Sequence, residues 1–186
     1  MNVAVPPSSP RPVVVTMGVS GTGKSSIAGE LARILGVPWI DGDDLHAPEA
    51  VARMRAGQPL GDADRWPWLD RIGARLADRA AAPDGIVVAC SALRRAYRER
   101  LRVAAPGLCF VFLDGPPELI RQRLARRRGH YMPPALLDSQ LLTLERPDAS
   151  EPDVFHADIA ATVPQLVAEL GLRIIQRVAH DAGYSA

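Results

Sequence analysis

Lysine is almost missing from this chain of 186 residues. Of its 22 basic residues, only Lys24 is a lysine, and all the others are arginines. Arginine replaces lysine wherever a surface needs only positive charge, whereas a flexible stem that ends in a compact ammonium is required at particular sites. A lysine kept in so arginine-rich a sequence marks position 24 as a candidate functional residue.

Cysteine is scarce as well. The chain has two cysteines, Cys90 and Cys109, and they form no C-x-x-C pair. This count and spacing argue against a disulfide scaffold and against a zinc site. Because both cysteines lie in apolar runs, we expect reduced thiols in the core.

A strong charge of one sign and a long apolar run are also lacking. The net charge is +1 and the pI is about 7.9, so there is no broad basic field to coat nucleic acid. No apolar run approaches the roughly 18 residues that cross a bilayer, and the opening MNVAVPPSSPRP has no apolar stretch like that of a secretory signal. A hydrophobic fraction of 47% excludes wholesale disorder. We expect a soluble, cytoplasmic domain that binds neither nucleic acid nor membrane.

Short apolar runs alternate with helical patterns along most of the chain. Runs of this kind are typical of strands buried on both faces, and they occupy residues 13–17, 39–40, 86–90, 109–113 and, more weakly, 154–156. The alternation predicts an α/β fold of three layers, with helices on both faces of a five-stranded parallel sheet. We expect a flexible tail at residues 1–11, the folded domain at 12–171 and a C-terminal extension at 172–186.

A glycine-rich turn follows the first predicted strand. Residues 18–25 read GVSGTGKS, which matches the phosphate-loop pattern G-x-x-x-x-G-K-S/T of the P-loop NTPase fold. Lys24 is expected to reach the β- and γ-phosphates of a nucleoside triphosphate, and the Ser25 hydroxyl is expected to bind Mg²⁺. The predicted nucleotide-binding residues of this loop are Gly18, Val19, Ser20, Gly21, Thr22, Gly23, Lys24, Ser25 and Ser26.

The segment DGDDLH, residues 41–46, follows the second strand and should therefore lie near the phosphate loop. Of Asp41 and Asp43, one can hold a metal-bound water while the other accepts a proton from a hydroxyl nucleophile. His46 can bind the acceptor or orient Asp43. The alternative is an Asp/Gly turn in which Asp44 has a capping role.

Asp114, at the end of the fourth strand, has two interpretations, a helix cap or a Mg²⁺ carboxylate, of which the cap is the simpler.

Five arginines crowd the residues before Gly129 and His130, namely Arg121, Arg123, Arg126, Arg127 and Arg128. Because helical spacing keeps all five from sharing one face, we expect one or two to contact phosphate and the rest to form a solvated surface. Phosphoryl transfer needs a cation at the moving phosphate, and a closing lid that excludes water can supply it. We predict Arg127 as this contact, Arg123 as the second choice, and a small helical lid at about residues 121–145.

Several segments, in this order along the chain, together resemble the small ATP-dependent gluconokinases, a family related to shikimate and nucleoside monophosphate kinases. The segments are MGVSGTGKS, DGDDLH, PLGDADRWPWL, CSALRRAYRERLR, RRGHYMPPALLDSQLLTLE and VFHADI. The resemblance covers about residues 13–170. It implies transfer of the ATP γ-phosphate to the 6-hydroxyl of D-gluconate, with ATP and Mg²⁺ as cofactors, and it implies a homodimer.

The same resemblance implies roles for individual residues. Asp43 and His46 match the family's substrate-side pair, and Asp41 matches the carboxylate that supports Mg²⁺. Lys24, Asp43 and Arg127 are the implied catalytic residues. The implied acceptor-facing and lid residues are Arg65, Ser91, Arg95, Arg98, Arg127, Gly129 and His130. The chain departs from the family at Gly61, where Asn or Thr is usual, and at Leu141, where an aromatic is usual.

Two other functions compete with this one. A shikimate-type or nucleotide acceptor would keep the same phosphate loop, but a nucleobase calls for an aromatic slot, and Trp66 and Trp68 are better explained as packing at a helix start. A polyhydroxy acid instead needs a guanidinium for its carboxylate and Asp, Ser and His for its hydroxyls. A nucleotide-dependent switch or nucleic-acid-associated ATPase would use residues 121–128 as a contact patch, which the low net charge disfavours.

Overall fold

Five parallel strands form a single sheet in the order β2-β3-β1-β4-β5. The computed structural model describes residues 11–81, 84–126 and 134–183, without the side chains of residues 134 and 135. The strands are β1 (Val13–Met17), β2 (Trp39–Asp41), β3 (Ile86–Ala89), β4 (Cys109–Asp114) and β5 (Val154–Asp158). The helices are α1 (Lys24–Leu35), α2 (Pro48–Arg55), α3 (Asp62–Ala81), α4 (Arg95–Ala104), α5 (Pro117–Arg126), α6 (Pro134–Thr143) and α7 (Val163–Asp181).

The sheet separates two hydrophobic cores. Val14 belongs to the core that contains the buried side chains of α1 and α7, whereas its neighbours Val13 and Val15 belong to the core that contains those of α3 and α4. Successive side chains of a strand point to opposite faces, so a continuous apolar strand such as β1 supplies both cores. The three-layer fold with a five-stranded parallel sheet, predicted from the alternation, is confirmed.

The central strand β1 lies between β3 and β4, and this position sets the place of the phosphate loop. Parallel pairing puts the carboxyl ends of the strands at one edge of the sheet. At that edge the Gly18 N–H donates to the Ser91 carbonyl at 3.2 Å, so the turn after β1 touches the turn after β3. The segment after β2 emerges beside β3 at the same edge, which brings residues 41–46 to the phosphate loop.

The predicted boundary between residues 171 and 172 is wrong, because α7 runs without interruption from Val163 to Asp181. Leu170 and Ile174 are one helical turn apart and both are buried, so the apolar face that begins the helix continues past the proposed boundary. Gly171 lies where a Cβ would meet the Ile34 side chain at 2.3 Å, which lets α7 approach α1 closely. Residues 172–181 are part of the domain.

Both cysteines are buried free thiols, as their apolar surroundings indicated. Burial raises the pKa of Cys90 to about 12 and that of Cys109 to about 11, so neither thiol is a nucleophile at neutral pH. Within the described ranges, none of the helices has both the length and the apolar character that crossing a membrane requires.

Candidate active site

The phosphate loop is a sharp bend between β1 and α1. Gly18 and Gly21 have φ of 138° and 87°, values that glycine adopts without a steric cost. A Cβ at Gly18 would lie 2.6 Å from the Leu113 carbonyl oxygen, and one at Gly21 would lie 2.7 Å from Leu124. The loop is therefore pressed against β4 and α5, and only glycine fits at these two positions.

Two side chains at the end of the loop donate hydrogen bonds to a carbonyl near its start. The buried Thr22 hydroxyl donates to the Val19 carbonyl at 2.8 Å, and the Lys24 ammonium donates to the same carbonyl at 3.1 Å. The Thr16 hydroxyl of β1 donates to the Lys24 carbonyl at 3.2 Å, which ties the strand to the first turn of α1. Lys24 is the first residue of α1, so its ammonium lies over a bend whose backbone amides and helix N-terminus favour an anion.

Ser25 and Asp41 join the phosphate loop to the end of β2. The Ser25 hydroxyl donates to Asp41 Oδ2 at 2.6 Å, while Asp41 Oδ1 accepts from the Asp43 N–H at 3.1 Å. A hydroxyl and a carboxylate oxygen in contact fit the oxygen-ligand preference of Mg²⁺, which is bound through few protein groups together with phosphates and waters. The structure thus brings the two predicted metal residues together.

A short 3₁₀-helix, Gly42–Leu45, carries the rest of the DGDDLH segment. Its N-cap is Asp41, whose side chain accepts from the Asp43 N–H, so the capping role that the alternative gave to Asp44 belongs to Asp41. The buried indole N–H of Trp68 donates to the Gly42 carbonyl at 2.7 Å, and the Trp68 ring stacks on the His46 ring at 4.3 Å. Trp68 is therefore packed in the core, as predicted, and it also supports the segment that carries Asp43.

Asp43 and His46 form a pair of opposite exposure. The Asp43 side chain is 73% exposed, whereas that of His46 is 4% exposed, and His46 Nε2 lies 3.8 Å from Asp43 Oδ1. Burial lowers the pKa of His46, and the positive charges of Arg71 and Arg65 act in the same direction against the opposing charge of Asp43. His46 Nδ1 is buried without a hydrogen-bond partner among the described residues. Burial thus favours the neutral form of the ring, next to a carboxylate that is open to solvent.

The turn after β3 supplies the next wall of the site. Ala92 in this turn has φ of 40°, which is unusual for a residue with a Cβ, and the preceding Ser91 carbonyl accepts from Gly18. Ser91 therefore lies next to the phosphate loop, and its implied role at the acceptor stays a prediction.

Arg65 and Arg94 lie 5.6 and 5.9 Å from the ring of Tyr97. Asp62 accepts from the Tyr97 hydroxyl and from Arg94 at 2.5 and 2.7 Å. The result is a half-buried cluster of two guanidiniums, one carboxylate and one phenol, made by the first turn of α3 and the start of α4. Arg94 and Tyr97 are members that sequence reasoning missed, because the cluster joins positions 32 or more residues apart.

Arg98 does not face an acceptor, and that prediction is corrected. Its side chain is 1% exposed and forms a bidentate ion pair with Glu151 at 2.6 and 2.7 Å. The same guanidinium donates to the carbonyls of Ala92, Leu93 and Glu145. All its donor atoms are thus engaged inside the protein, where Arg98 holds the strained turn after β3.

The other predicted arginines have different surroundings. Arg95 is exposed and bonds to Ser150 at 3.0 Å, while Arg123 donates to the Ile159 carbonyl after β5. Arg127, the predicted phosphate contact, and Gly129 and His130 of the predicted lid lie outside the described residues. The structure therefore brings together the phosphate loop, Asp41, Asp43, His46 and Ser91, and Arg95 and Arg123 are exposed residues with partners of their own.

Two further contacts were not foreseen from the sequence. The carboxylate of Asp114 pairs with Arg146, a partner that neither the helix cap nor the metal interpretation included. Gln140 of α6 bonds to Ser20 of the phosphate loop across 120 residues of sequence. No local signal identifies such contacts, because each depends on how distant segments pack.

Known proteins resemble this chain over most of its length. A family model described as an AAA domain matches residues 13–147. The chain is 50% identical to the gluconokinase of Gluconobacter oxydans strain 621H over 139 residues, which are 75% of this chain and 78% of that protein. It is 43% identical to the thermosensitive gluconokinase of Escherichia coli strain K12 over 145 residues, 78% of each chain. The crystal structure of a gluconokinase from Sinorhizobium meliloti 1021 matches with a TM-score of 0.83 at 44% identity, over 95% of this chain and 98% of that one.

Proposed function

This chain belongs to the gluconokinase family of P-loop kinases, and on that premise we propose that it transfers the γ-phosphate of ATP to the 6-hydroxyl of D-gluconate, giving 6-phospho-D-gluconate and ADP. The observation that carries the proposal is the 2.6 Å bond from Ser25 to Asp41. It joins the nucleotide loop to the segment that bears Asp43, so donor and acceptor groups share one edge of the sheet. The choice of gluconate rests on the relatives, which are gluconokinases at 43% and 50% identity.

In the proposed mechanism, the backbone amides of the phosphate loop and Lys24 bind the triphosphate. Asp43 takes the proton of the attacking 6-hydroxyl, whose oxygen bonds to the γ-phosphorus as the bond to the bridging oxygen breaks and ADP leaves. Ser25 and Asp41 would hold Mg²⁺, which neutralises phosphate charge when bound. Arg127, and Arg123 as the second choice, are proposed to stabilise the moving phosphoryl group. Catalysis of this kind depends on positioning and charge stabilisation.

The acceptor is proposed to lie between Asp43 and the arginine-bearing side of the site. A planar guanidinium binds a carboxylate with two parallel hydrogen bonds, and Arg65 of the Tyr97 cluster is the described arginine that suits this role. Ser91 and His46 are proposed to bind hydroxyls, and His130 and Arg95 remain proposed contacts from the resemblance. The reaction is proposed to occur in the cytoplasm, where ATP is supplied, and the homodimer stays a prediction.

An acceptor panel tests the substrate. ADP release is measured with the purified protein, ATP and Mg²⁺ in the presence of gluconate, shikimate, a nucleoside monophosphate or no acceptor. We expect turnover with gluconate alone. Turnover with shikimate or a monophosphate and none with gluconate contradicts the substrate, and equal ADP release without any acceptor favours the ATPase instead.

Asp43→Asn tests the role of the exposed carboxylate in the same assay. Loss of the proton acceptor is expected to lower kcat by about 10²- to 10⁴-fold while the Kd of ATP stays within about twofold of the wild-type value. Asp44→Asn, a neighbouring exposed carboxylate, is the matched control and should leave both parameters near wild type. If ATP binding collapses and the residual chemistry does not, Asp43 belongs to the nucleotide side.

A further inference from the structure

Gln140 is a half-buried amide that touches the phosphate loop from a distant helix. The Ser20 backbone N–H donates to Gln140 Oε1 at 2.7 Å, and Gln140 Nε2 donates to the Ser20 hydroxyl at 3.3 Å. A backbone N–H can only donate, so the amide oxygen must face it, and the NH₂ group is left for the hydroxyl. The two bonds form a two-point contact between α6 and the loop.

Apolar packing supports the same junction. Val19 of the loop and Leu137 of α6 are both buried, at 2% and 1% exposed, in one core cluster, and Leu141 packs against that cluster. On another side of the bend, Gly21 lies against Leu124 and Ile120 of α5. The outer side of the phosphate loop is thus held by two helices, while Ser20 is the point where a directional bond from α6 reaches its backbone.

We propose that Gln140 is a positioning residue that holds the phosphate loop in the shape that binds the nucleotide. Gly18, Gly21 and Gly23 leave the loop backbone free to adopt many conformations. A loop that is ordered before the ligand arrives loses less conformational freedom on binding, so a contact that orders it raises affinity. Gln140 supplies this order from outside the strand-loop-helix unit, through the backbone N–H and the hydroxyl of Ser20. The inference rests on the proposed function only in that the loop binds ATP.

Direct binding of ATP to the full-length protein, measured by calorimetry without acceptor, tests this role. Gln140→Leu keeps a similar volume and removes both hydrogen bonds, and Gln140→Met is a second variant of the same kind in case the first folds poorly. We expect either variant to raise the Kd of ATP by about tenfold, the effect of losing a pair of neutral hydrogen bonds. Leu142→Ala is the matched control, since Leu142 is on the same helix and 90% exposed, and its Kd should stay within about twofold of wild type.

A double-mutant cycle with Ser20→Ala separates positioning from general loss of stability. If the amide acts through Ser20, the double variant should bind ATP about as weakly as Gln140→Leu alone, since coupled residues are not additive. The KM of ATP should rise in parallel with its Kd, while kcat and the KM of the acceptor change by less than about threefold. An ATP affinity within twofold of wild type in both Gln140 variants overturns the proposal. Because binding is read without acceptor, the result holds whether or not gluconate is the substrate.

Discussion

The phosphate loop and the arginine-bearing acceptor side meet at one edge of the sheet but are built in opposite ways. The loop is closed chiefly by bonds over three to five residues, from Thr22 and Lys24 to Val19. The acceptor side is held by charged side chains far apart in sequence, such as Arg94 with Asp62 and Arg98 with Glu151, 32 and 53 residues apart. Local bonds thus close the anion cradle, with Gln140 as its one support from α6 among the hydrogen bonds described above, whereas the proposed acceptor wall depends on the packing of distant segments.

This difference predicts which substitutions of charged residues each region tolerates. The cradle uses amides and one ammonium, so its function depends on backbone shape and on the compact head of Lys24. The proposed acceptor wall contains guanidiniums, whose planar forks bind carboxylates or backbone carbonyls in fixed geometry. In a chain with 22 basic residues and one lysine, the lysine lies at the phosphate loop, and the proposed acceptor wall carries arginines. Substitutions that exchange them test whether this division is functional.

The largest effect is expected from Lys24→Arg, which keeps the charge and changes its shape. The bulkier fork cannot occupy the place of a compact ammonium beside the loop, so we expect kcat to fall by about 10³-fold, in the range for losing a group that stabilises transition-state charge. Steady-state ADP release with ATP and gluconate measures it. Arg33→Lys, on the exposed face of α1, makes the reverse exchange and should be neutral. Near-normal turnover of Lys24→Arg would show that the loop does not need a compact ammonium. The two regions would then not differ in the type of cation that they require.

The same contrast explains what the sequence could predict. Residues 13–17 and 18–25 carry a strand pattern and a loop motif whose geometry is local, so the β1-loop-α1 unit followed from the residues alone. Arg98 was assigned to the acceptor because a motif gives position along the chain but not the direction of a side chain. Its partner Glu151 lies in a segment without any motif. Likewise, the end of the domain was placed at residue 171, although Ile174 continues the apolar face of α7.

The acceptor side is tested by removing its most buried charge. Arg98→Met leaves Glu151 buried with one partner fewer and frees three backbone carbonyls, and breaking a buried ion pair in this way costs about 3 kcal/mol or more in the free energy of unfolding. Urea denaturation without ligand measures the loss. Arg100→Met is the matched control, because Arg100 lies on the same helix and makes a two-bond pair with Asp70 at the surface, where solvent keeps the loss well below that of a buried pair.

Catalysis by Arg98→Met sharpens the comparison further. If the role of Arg98 is to hold the turn at Ser91 and Ala92, the KM of gluconate should rise by more than the KM of ATP under conditions where the variant is folded. An unchanged unfolding free energy combined with a lost gluconate affinity would instead return Arg98 to the acceptor contacts. Equal changes in both KM values would show that the turn after β3 serves the nucleotide as much as the acceptor.

The smallest effect concerns His46, whose pKa is lowered chiefly by burial, with Arg71 and Arg65 acting in the same direction and Asp43 against it. The folded protein therefore favours the neutral ring, while the unfolded chain takes up the proton near pH 6.5. The contribution of His46 to stability is fully present above pH 6.5 and is lost as the pH falls through the lowered folded-state value. One such group changes the unfolding free energy by at most about 1.4 kcal/mol per pH unit.

His46→Phe keeps a ring against Trp68 and removes the titration. Urea denaturation of both proteins between about pH 7.5 and about pH 5.5, roughly one unit on either side of the ordinary histidine value, therefore isolates this contribution. Wild type should lose stability relative to His46→Phe as the pH is lowered, and the difference should be constant above pH 7. His180→Phe, at an exposed position near the end of α7, controls for the loss of one histidine. If the difference between wild type and His46→Phe does not change with pH, burial does not hold the ring neutral, and only the ion pairs between distant residues distinguish the proposed acceptor side from the phosphate loop.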